Sequence, residues 1–192
     1  MKITKTALAG VMVIEPRVFG DDRGYFMETF RLDLLEEALG HRVEFVQENE
    51  SKSSRGVLRG LHYQLPPHTQ SKLCRVIEGR VLDVAVDIRR GSPTFGKSVA
   101  VELSCENQKQ LFIPRGFAHG FLVLSETARF TYKVDNYYAP QADRGIVYND
   151  PTIGISWGEG EQELLLSDKD QSQPHLEDAT LFSYDMSLYP SR

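Results

Sequence analysis

The sequence predicts an all-β chain folded as a jelly-roll or barrel, and three observations carry that reading. Short β-rich runs separated by turn signals fill most of the 192 residues. One of them, 81–88, alternates strictly: Leu82, Val84, Val86 and Ile88 share one face, and Asp83, Ala85 and Asp87 the other. Helical periodicity is confined to one short stretch and a weaker second one near the C-terminus, so helices are peripheral. Many short strands in a chain of this size favour a closed or two-sheet architecture. Carboxylates on one strand face ordinarily mean a solvated surface. In a barrel they also fit a polar interior that holds a ligand.

Taken in order, strands are expected at 11–15, 24–30, 57–64, 72–78, 81–88, 98–103, 110–113 and 128–134. A helix is expected over 32–39, stopped by Gly40. Glu78-Gly79-Arg80 reads as a hairpin turn between two strands. Gly91-Ser-Pro-Thr-Phe-Gly96 reads as a loop. In the run 128–134, Ala128, Phe130, Tyr132 and Val134 form the face expected to point inward. No linker, repeat or low-complexity segment interrupts the chain, so residues 1–192 read as a single domain.

Composition narrows the function classes. Hydrophobic residues at 41% suffice for a core, and 26% charged residues suit a surface in water. The net charge of -5 and the lack of a basic stripe argue against nucleic acid as a partner. An anionic ligand would need local positive charge. Cys74 and Cys105 are the only cysteines and form no CxxC pair, which excludes a zinc ribbon or a disulfide scaffold. The N-terminal lysines precede no long apolar run, and no stretch is long and apolar enough to span a bilayer. The expected location is the cytoplasm, with no membrane partner.

Two spaced histidine motifs resemble the cupins. Pro114-Arg-Gly-Phe-Ala-His119 matches the second cupin motif, while Gly56…His62 and Lys72…Gly79 resemble the ends of the first. Metal-binding cupins carry a second histidine and a carboxylate where this chain has Gln64 and Lys72. An ammonium in place of an acidic ligand repels a divalent cation, and two histidines rarely hold a catalytic metal. No metal is expected.

Longer segments carry a narrower resemblance. Val57-Leu-Arg-Gly-Leu-His62-Tyr-Gln, Lys72-Leu73, Asp83-Val-Ala-Val-Asp87, Ser92-Pro-Thr-Phe-Gly96, Ile113-Pro-Arg-Gly-Phe-Ala-His-Gly-Phe121, Tyr132-Lys133 and Leu166-Ser-Asp-Lys-Asp170 occur in order. Together they resemble the dTDP-4-dehydrorhamnose 3,5-epimerase family, over nearly the whole chain. The departures are Tyr148 and Gly158 where the family has Trp and Pro, Ser71 for a smaller residue, and Asp143 for a Glu beside the sugar nucleotide. The resemblance implies a homodimeric cupin jelly-roll with no cofactor. It also implies inversion of C3 and C5 on a dTDP-linked 4-keto-6-deoxyhexose; a 3- or 5-monoepimerase on a related dTDP-4-keto-6-deoxy sugar would carry nearly the same residues, and a non-catalytic sugar-nucleotide binding cupin is the other alternative, one that would not need His62, Lys72, Tyr132 and Asp170 together.

That chemistry asks for three groups. Both carbons flank the C4 ketone, so losing a proton from either gives an enolate. A base, a cation at the ketone oxygen and an acid on the opposite ring face are required. His62 suits the base, since imidazole titrates near neutrality. The resemblance makes Asp170 its hydrogen-bond partner. Lys72 suits the developing oxyanion. Tyr132 alone reads as a core tyrosine with a satisfied hydroxyl, and the resemblance makes it the acid. By the same resemblance Arg59 contacts the diphosphate and Tyr138 stacks on thymine. Lys169, His119 and Asp143 meet the substrate, with Asp83 as the expected partner of His119. Arg23 and Glu28 reach over from the partner subunit beside Gln47, Glu48 and Asn49. Arg59 and His62 would fall on opposite faces of a regular strand, and Gly60 between them would permit a bulge that unites them.

Overall fold

The structure is a computed structural model that describes residues 1–158 and 163–189. Its strands run β1 (Lys2–Lys5), β2 (Met12–Glu15), β3 (Val18–Asp21), β4 (Gly24–Met27), β5 (Gln47–Ser54), β6 (Leu58–Gln64), β7 (Lys72–Glu78) and β8 (Arg80–Asp87). They continue as β9 (Arg89–Arg90), β10 (Ser98–Ser104), β11 (Gln110–Ile113), β12 (Phe117–Val123), β13 (Thr127–Val134), β14 (Asp143–Gly145) and β15 (Phe182–Ser183). Helix α1 is Leu32–Leu39, and α2 is the single turn Asp168–Gln171. Gly40 ends α1 in the left-handed region at φ 74°, its N–H bonded to Glu36 O, as a C-terminal glycine should.

Two antiparallel sheets face each other. One is six-stranded in the order β1-β2-β11-β7-β13-β5, and the other five-stranded in the order β10-β8-β12-β6-β14. The cluster between them draws Cys74, Val76, Leu111, Ala128 and Phe130 from the first sheet and Val81, Ala85, Leu103, Phe117, Phe121 and Val123 from the second. The all-β jelly-roll reading of the sequence therefore holds, and Asp83 lies inside it, fully buried.

The alternation of β8 has a second consequence. Val84 and Val86 face outward with Leu58, Leu61, Tyr63, Ala118 and Leu122, and they are still buried. The chain after β13 covers them with Ile146, Ile153, Trp157, Leu176, Ala179 and Phe182. Both faces of the five-stranded sheet are thus sealed. On the far side, α1 supplies Leu35 to a third cluster with Met12, Ile14, Leu73 and Phe112.

The expected hairpin at Glu78-Gly79-Arg80 is not one. β7 pairs with β11 and β13, whereas β8 pairs with β10 and β12. Gly79, at φ 74°, is the corner where the chain leaves one sheet for the other, and a Cβ there would stand 2.0 Å from Thr127 O. The Ser92–Gly96 loop has a structural task at the end of β8. Ser92 Oγ and Thr94 Oγ1 each donate to Asp87 Oδ2 at 2.6 Å, and Arg89 adds Nε to Oδ1 at 2.8 Å.

Candidate active site

The bulge expected at Gly60 is present. His119 pairs with His62 and Phe121 with Arg59, so two steps along β12 answer three along β6. Gly60 sits at φ 135°, and a Cβ on it would lie 2.5 Å from Gly120 Cα. The extra residue turns Leu58, Leu61 and Tyr63 to the outer cluster. Arg59 and His62 consequently share the inner face, opposite Phe121 and His119.

His62 Nε2 lies 2.5 Å from Asp170 Oδ1. Asp170 is held by its own helix turn. Ser167 caps α2, accepting from the Asp170 N–H and donating its hydroxyl to Asp170 Oδ2 at 2.9 Å. Burial alone would raise the Asp170 pKa, but the His62 and Ser167 hydrogen bonds outweigh it and hold the carboxyl below its usual value. The charged carboxylate therefore accepts from Nε2–H, and Nδ1 is the nitrogen left to take a proton. The S-x-x-D cap was the one signal for Ser167 in the sequence.

Lys72 opens β7 on the inner face and is buried. Its Nζ lies 3.4 Å from His119 Nδ1, and His119 Nε2 lies 2.7 Å from Asp83 Oδ1. Burial pushes the Lys72 ammonium pKa down, opposed by Cys74, Asp83 and Asp143. Burial also lowers His119, against the pull of Asp83. A neutral His119 donates Nε2–H to Asp83 Oδ1 and accepts at Nδ1 from Lys72, while Asp83 Oδ2 stays buried without a hydrogen-bond partner. Tyr132 stands over this cluster, with Lys72 Nζ 5.7 Å from its ring centre. Burial raises its pKa, so the phenol keeps its proton at neutral pH.

His62, Lys72, Tyr132, Tyr138, Asp143 and Lys169 line one cleft of about 230 Å³ together with Gln64 and Gln70. Lys169 is ion-paired to Asp143, and the Tyr138 hydroxyl donates to the same carboxylate at 3.1 Å. Arg59 crosses to the other sheet, where Nε and Nη2 meet Ser53 Oγ at 3.2 Å. Gln47 Nε2 donates to Asn49 Oδ1 at 2.8 Å, and Gln47 Oε1 accepts from Tyr138 N–H at 3.1 Å. Gln64, read from sequence only as a lost metal ligand, is a strut. Its Nε2 donates to His68 O and Tyr137 O, and its Oε1 accepts from Ala139 N–H, which ties two loops to the rim of the cleft.

Gln47, Asn49, Arg59 and His119 adjoin this cleft without lining it, and Glu48, Arg23 and Glu28 lie apart from it. Glu48 follows the other face of β5 and pairs with Lys133 at 2.7 Å, because strand alternation separates it from Gln47 and Asn49. Arg23 sits on the β3–β4 hairpin, which pairs only with itself, and its guanidinium is engaged by Asp21. Glu28 follows that hairpin and lies 3.7 Å from Arg31.

Among the described residues, one group of potential metal ligands comes together: Cys74, Asp83 and His119, with ligand atoms within 4.8 Å. A cation there would displace the His119–Asp83 hydrogen bond and sit against the Lys72 ammonium. The donor set does not match the cupin ligand pattern, whose remaining positions hold Gln64 and Lys72.

Residues 5–178 match the family model of dTDP-4-dehydrorhamnose 3,5-epimerase. The chain belongs to this family. Among its relatives, the dTDP-4-dehydrorhamnose 3,5-epimerase of Shigella flexneri is 56% identical over 182 residues, 95% of this chain and 99% of that one. The crystal structure of the 3,5-epimerase of Legionella pneumophila, in complex with dTDP-4-keto-L-rhamnose, is 48% identical with a TM-score of 0.92, covering 96% of this chain and 99% of that one. A 3'-monoepimerase of Streptomyces bikiniensis, in complex with dTDP-quinovose, superposes with a TM-score of 0.84 at 36% identity, over 90% and 86% of the two chains. The fold thus spans enzymes named for double and for single epimerisation.

Proposed function

We propose that the chain inverts C3 and C5 of dTDP-4-dehydro-6-deoxy-D-glucose through enolates, giving dTDP-4-dehydro-L-rhamnose. The single observation that carries this is a charge-balanced acid–base set in one cleft: His62 on Asp170, with Lys72 and Tyr132 beside it. His62 Nδ1 takes the proton from the carbon beside the ketone, and the C–H electron pair moves to the C4 oxygen. The Lys72 ammonium meets that oxygen as its charge develops. Tyr132 gives its phenolic proton to the opposite ring face. The imidazolium and phenolate then return to their starting forms by exchange with solvent. No step calls for a cofactor.

The rim supplies recognition. Arg59 offers a guanidinium suited to a diphosphate. Tyr138 is 55% exposed, which suits an aromatic that stacks on a base. A cleft of about 230 Å³ is small for a nucleotide sugar, since ligand sites commonly run to about 300–1,000 Å³. The β3–β4 hairpin exposes Phe19, Tyr25 and Phe26 beside Arg23, and in a homodimer it would complete the partner's site. No helix among the described residues is long and apolar enough to cross a membrane, and cytoplasmic sugar-nucleotide synthesis is the setting we favour.

Incubation with the 4-keto sugar nucleotide in heavy water tests the reaction. Deuterium at both C3 and C5 of an inverted product is expected. Label and inversion at one carbon only would make the chain a monoepimerase. Neither would overturn the reading. A demonstrably monomeric preparation with undiminished kcat/KM would overturn the shared site.

A further inference from the structure

Gln64 follows His62 by two residues on β6, is buried, and lines the same cleft. The direction of its side-chain amide is fixed by backbone groups alone, since a C=O can only accept and an N–H can only donate. Nε2 donates to His68 O at 2.7 Å and to Tyr137 O at 3.2 Å, and Oε1 accepts from Ala139 N–H at 2.7 Å. The bonds to Tyr137 and Ala139 flank Tyr138. A donor for the preceding carbonyl and an acceptor for the following N–H are what an antiparallel strand offers a residue between two ladder bonds. Gln64 gives Tyr138 that pairing from a side chain, in a stretch that belongs to no strand.

The other groups of Tyr138 are held as well. Its N–H donates to Gln47 Oε1 at 3.1 Å, and its hydroxyl donates at 3.1 Å to Asp143, the ladder partner of Gln64. The neighbouring loop is drawn in by the bond to His68, by Asn136 Nδ2 on Pro67 O at 3.0 Å, and by Gln70 Nε2 on Asn136 O at 2.8 Å. The Tyr138 ring nevertheless stays 55% exposed. An exposed aromatic on a loop ordinarily has to be ordered by the ligand that stacks on it, and that ordering subtracts from affinity. Here the order is built in before a ligand arrives. We propose that Gln64 is a positioning residue that preorganises Tyr138 for the base of the substrate, so that its loss weakens nucleotide binding more than proton transfer. This rests on the reading of Tyr138 as the group that stacks on the base.

Two variants loosen the grip. Gln64→Glu keeps the size and the acceptor for Ala139 but sets an oxygen against the two carbonyls. Gln64→Met removes all three bonds at similar volume. Binding of dTDP alone is read by calorimetry, and kcat and KM with dTDP-4-dehydro-6-deoxy-D-glucose. In both variants the Kd for dTDP is expected to rise by about 2–12-fold, the range that ordering one side chain covers, and KM should rise more than kcat falls. Tyr138→Ala should raise the Kd by about 5–140-fold, as the loss of one base–aromatic stack does. In the Tyr138→Ala background, Gln64→Met is expected to add no further loss, because the platform it holds is already gone. A general role in folding would weaken dTDP binding equally in both backgrounds. An unchanged Kd in the Gln64 variants, losses that multiply in the double variant, or a fall in kcat at constant KM overturns the proposal. So does failure of both Gln64 variants to fold, which would make Gln64 a support of the barrel. An unchanged Kd in Tyr138→Ala overturns Tyr138 as the stacking group, whereas a raised Kd there with no coupling to Gln64 overturns only the positioning.

Discussion

His62 Nε2 and Asp170 Oδ1 stand 2.5 Å apart across 108 residues of chain. β6 brings the first and the single turn α2 the second, and Ser167 fixes the carboxylate that accepts the imidazole N–H. The pair commits His62 to one tautomer with Nδ1 free. Asp170→Asn is expected to lower kcat by roughly 10²–10⁴-fold, because the amide no longer selects that tautomer or stabilises the imidazolium. His62→Ala is expected to abolish both epimerisations and all solvent exchange. Substantial exchange at C3 or C5 in His62→Ala would reveal a second base.

Tyr132→Phe should separate deprotonation from inversion. His62 can remove a proton and return one to the same ring face without any help from the phenol. The variant is expected to exchange deuterium into the substrate while net inversion falls much further. Full inversion at the wild-type rate would sink the assignment. So would equal losses of both, which would place Tyr132 at the ketone instead.

The alkaline limb of the pH profile should belong to Lys72. Burial lowers its pKa, whereas burial raises that of Tyr132, so the lysine loses its proton first as pH rises. The ammonium is the form that stabilises the enolate, and kcat/KM should therefore fall with an apparent pKa below the ~10.4 of an ordinary lysine. Solvent exchange in Tyr132→Phe should keep that limb. Its disappearance in Tyr132→Phe would reassign it to the phenol.

Turnover is expected to survive exhaustive chelation. Lys72 and Gln64 occupy cupin ligand positions, and Lys72 bonds to one of the two remaining histidines. Loss of activity with EDTA, restored by a divalent metal, would overturn this.

Asp87→Asn should destabilise the fold by roughly 3 kcal/mol, since Arg89, Ser92 and Thr94 all converge on the buried carboxylate. Burial would raise its pKa, but those donors outweigh it and the folded value lies below the ordinary one. A depressed carboxylate pKa stabilises the fold above the unfolded value of ~3.9, and that gain is lost as pH falls through the folded value. The difference in melting temperature between wild type and Asp87→Asn should therefore shrink below about pH 4. A constant difference down to pH 2 would show that the charge contributes nothing.

Much of this was legible in the residues. Strands 72–78 and 110–113 and helix 32–39 keep their expected bounds, because alternation and a terminal glycine are local signals. β5 was not legible: Gln-Glu-Asn-Glu-Ser-Lys-Ser-Ser has no apolar residue to alternate. It is an edge strand, with Gln47 bonded to the Tyr138 N–H on one face and Glu48 and Glu50 on the other. β12 was hidden inside a motif read for its histidine. Gly79 gave a true turn signal, but a turn does not say whether its flanking strands pair. Of the candidate site, the family motifs supplied the expected members, and strand period flagged the conflict between Arg59 and His62 that the bulge resolves. The orientation of Glu48 followed from the same period once β5 was known to be a strand. The role of Gln64 was invisible, since its side chain bonds only backbone groups, two of them in a loop more than seventy residues away.

The position of α2 in the chain also bears on the order in which the molecule is made. Everything needed to close the two main sheets has left the ribosome by Gly145, including Lys72, His119 and Tyr132. The partner of His62 and most of the outer layer come later, among them Ile153, Trp157, Leu176 and Phe182. A nascent chain halted between them would own a barrel with an uncovered apolar flank and an imidazole with no carboxylate. Such an exposed sheet face is a hazard for self-association during synthesis. Translation of the final segment therefore removes that hazard and supplies the base's partner in the same act, so a prematurely ended product is both inactive and sticky.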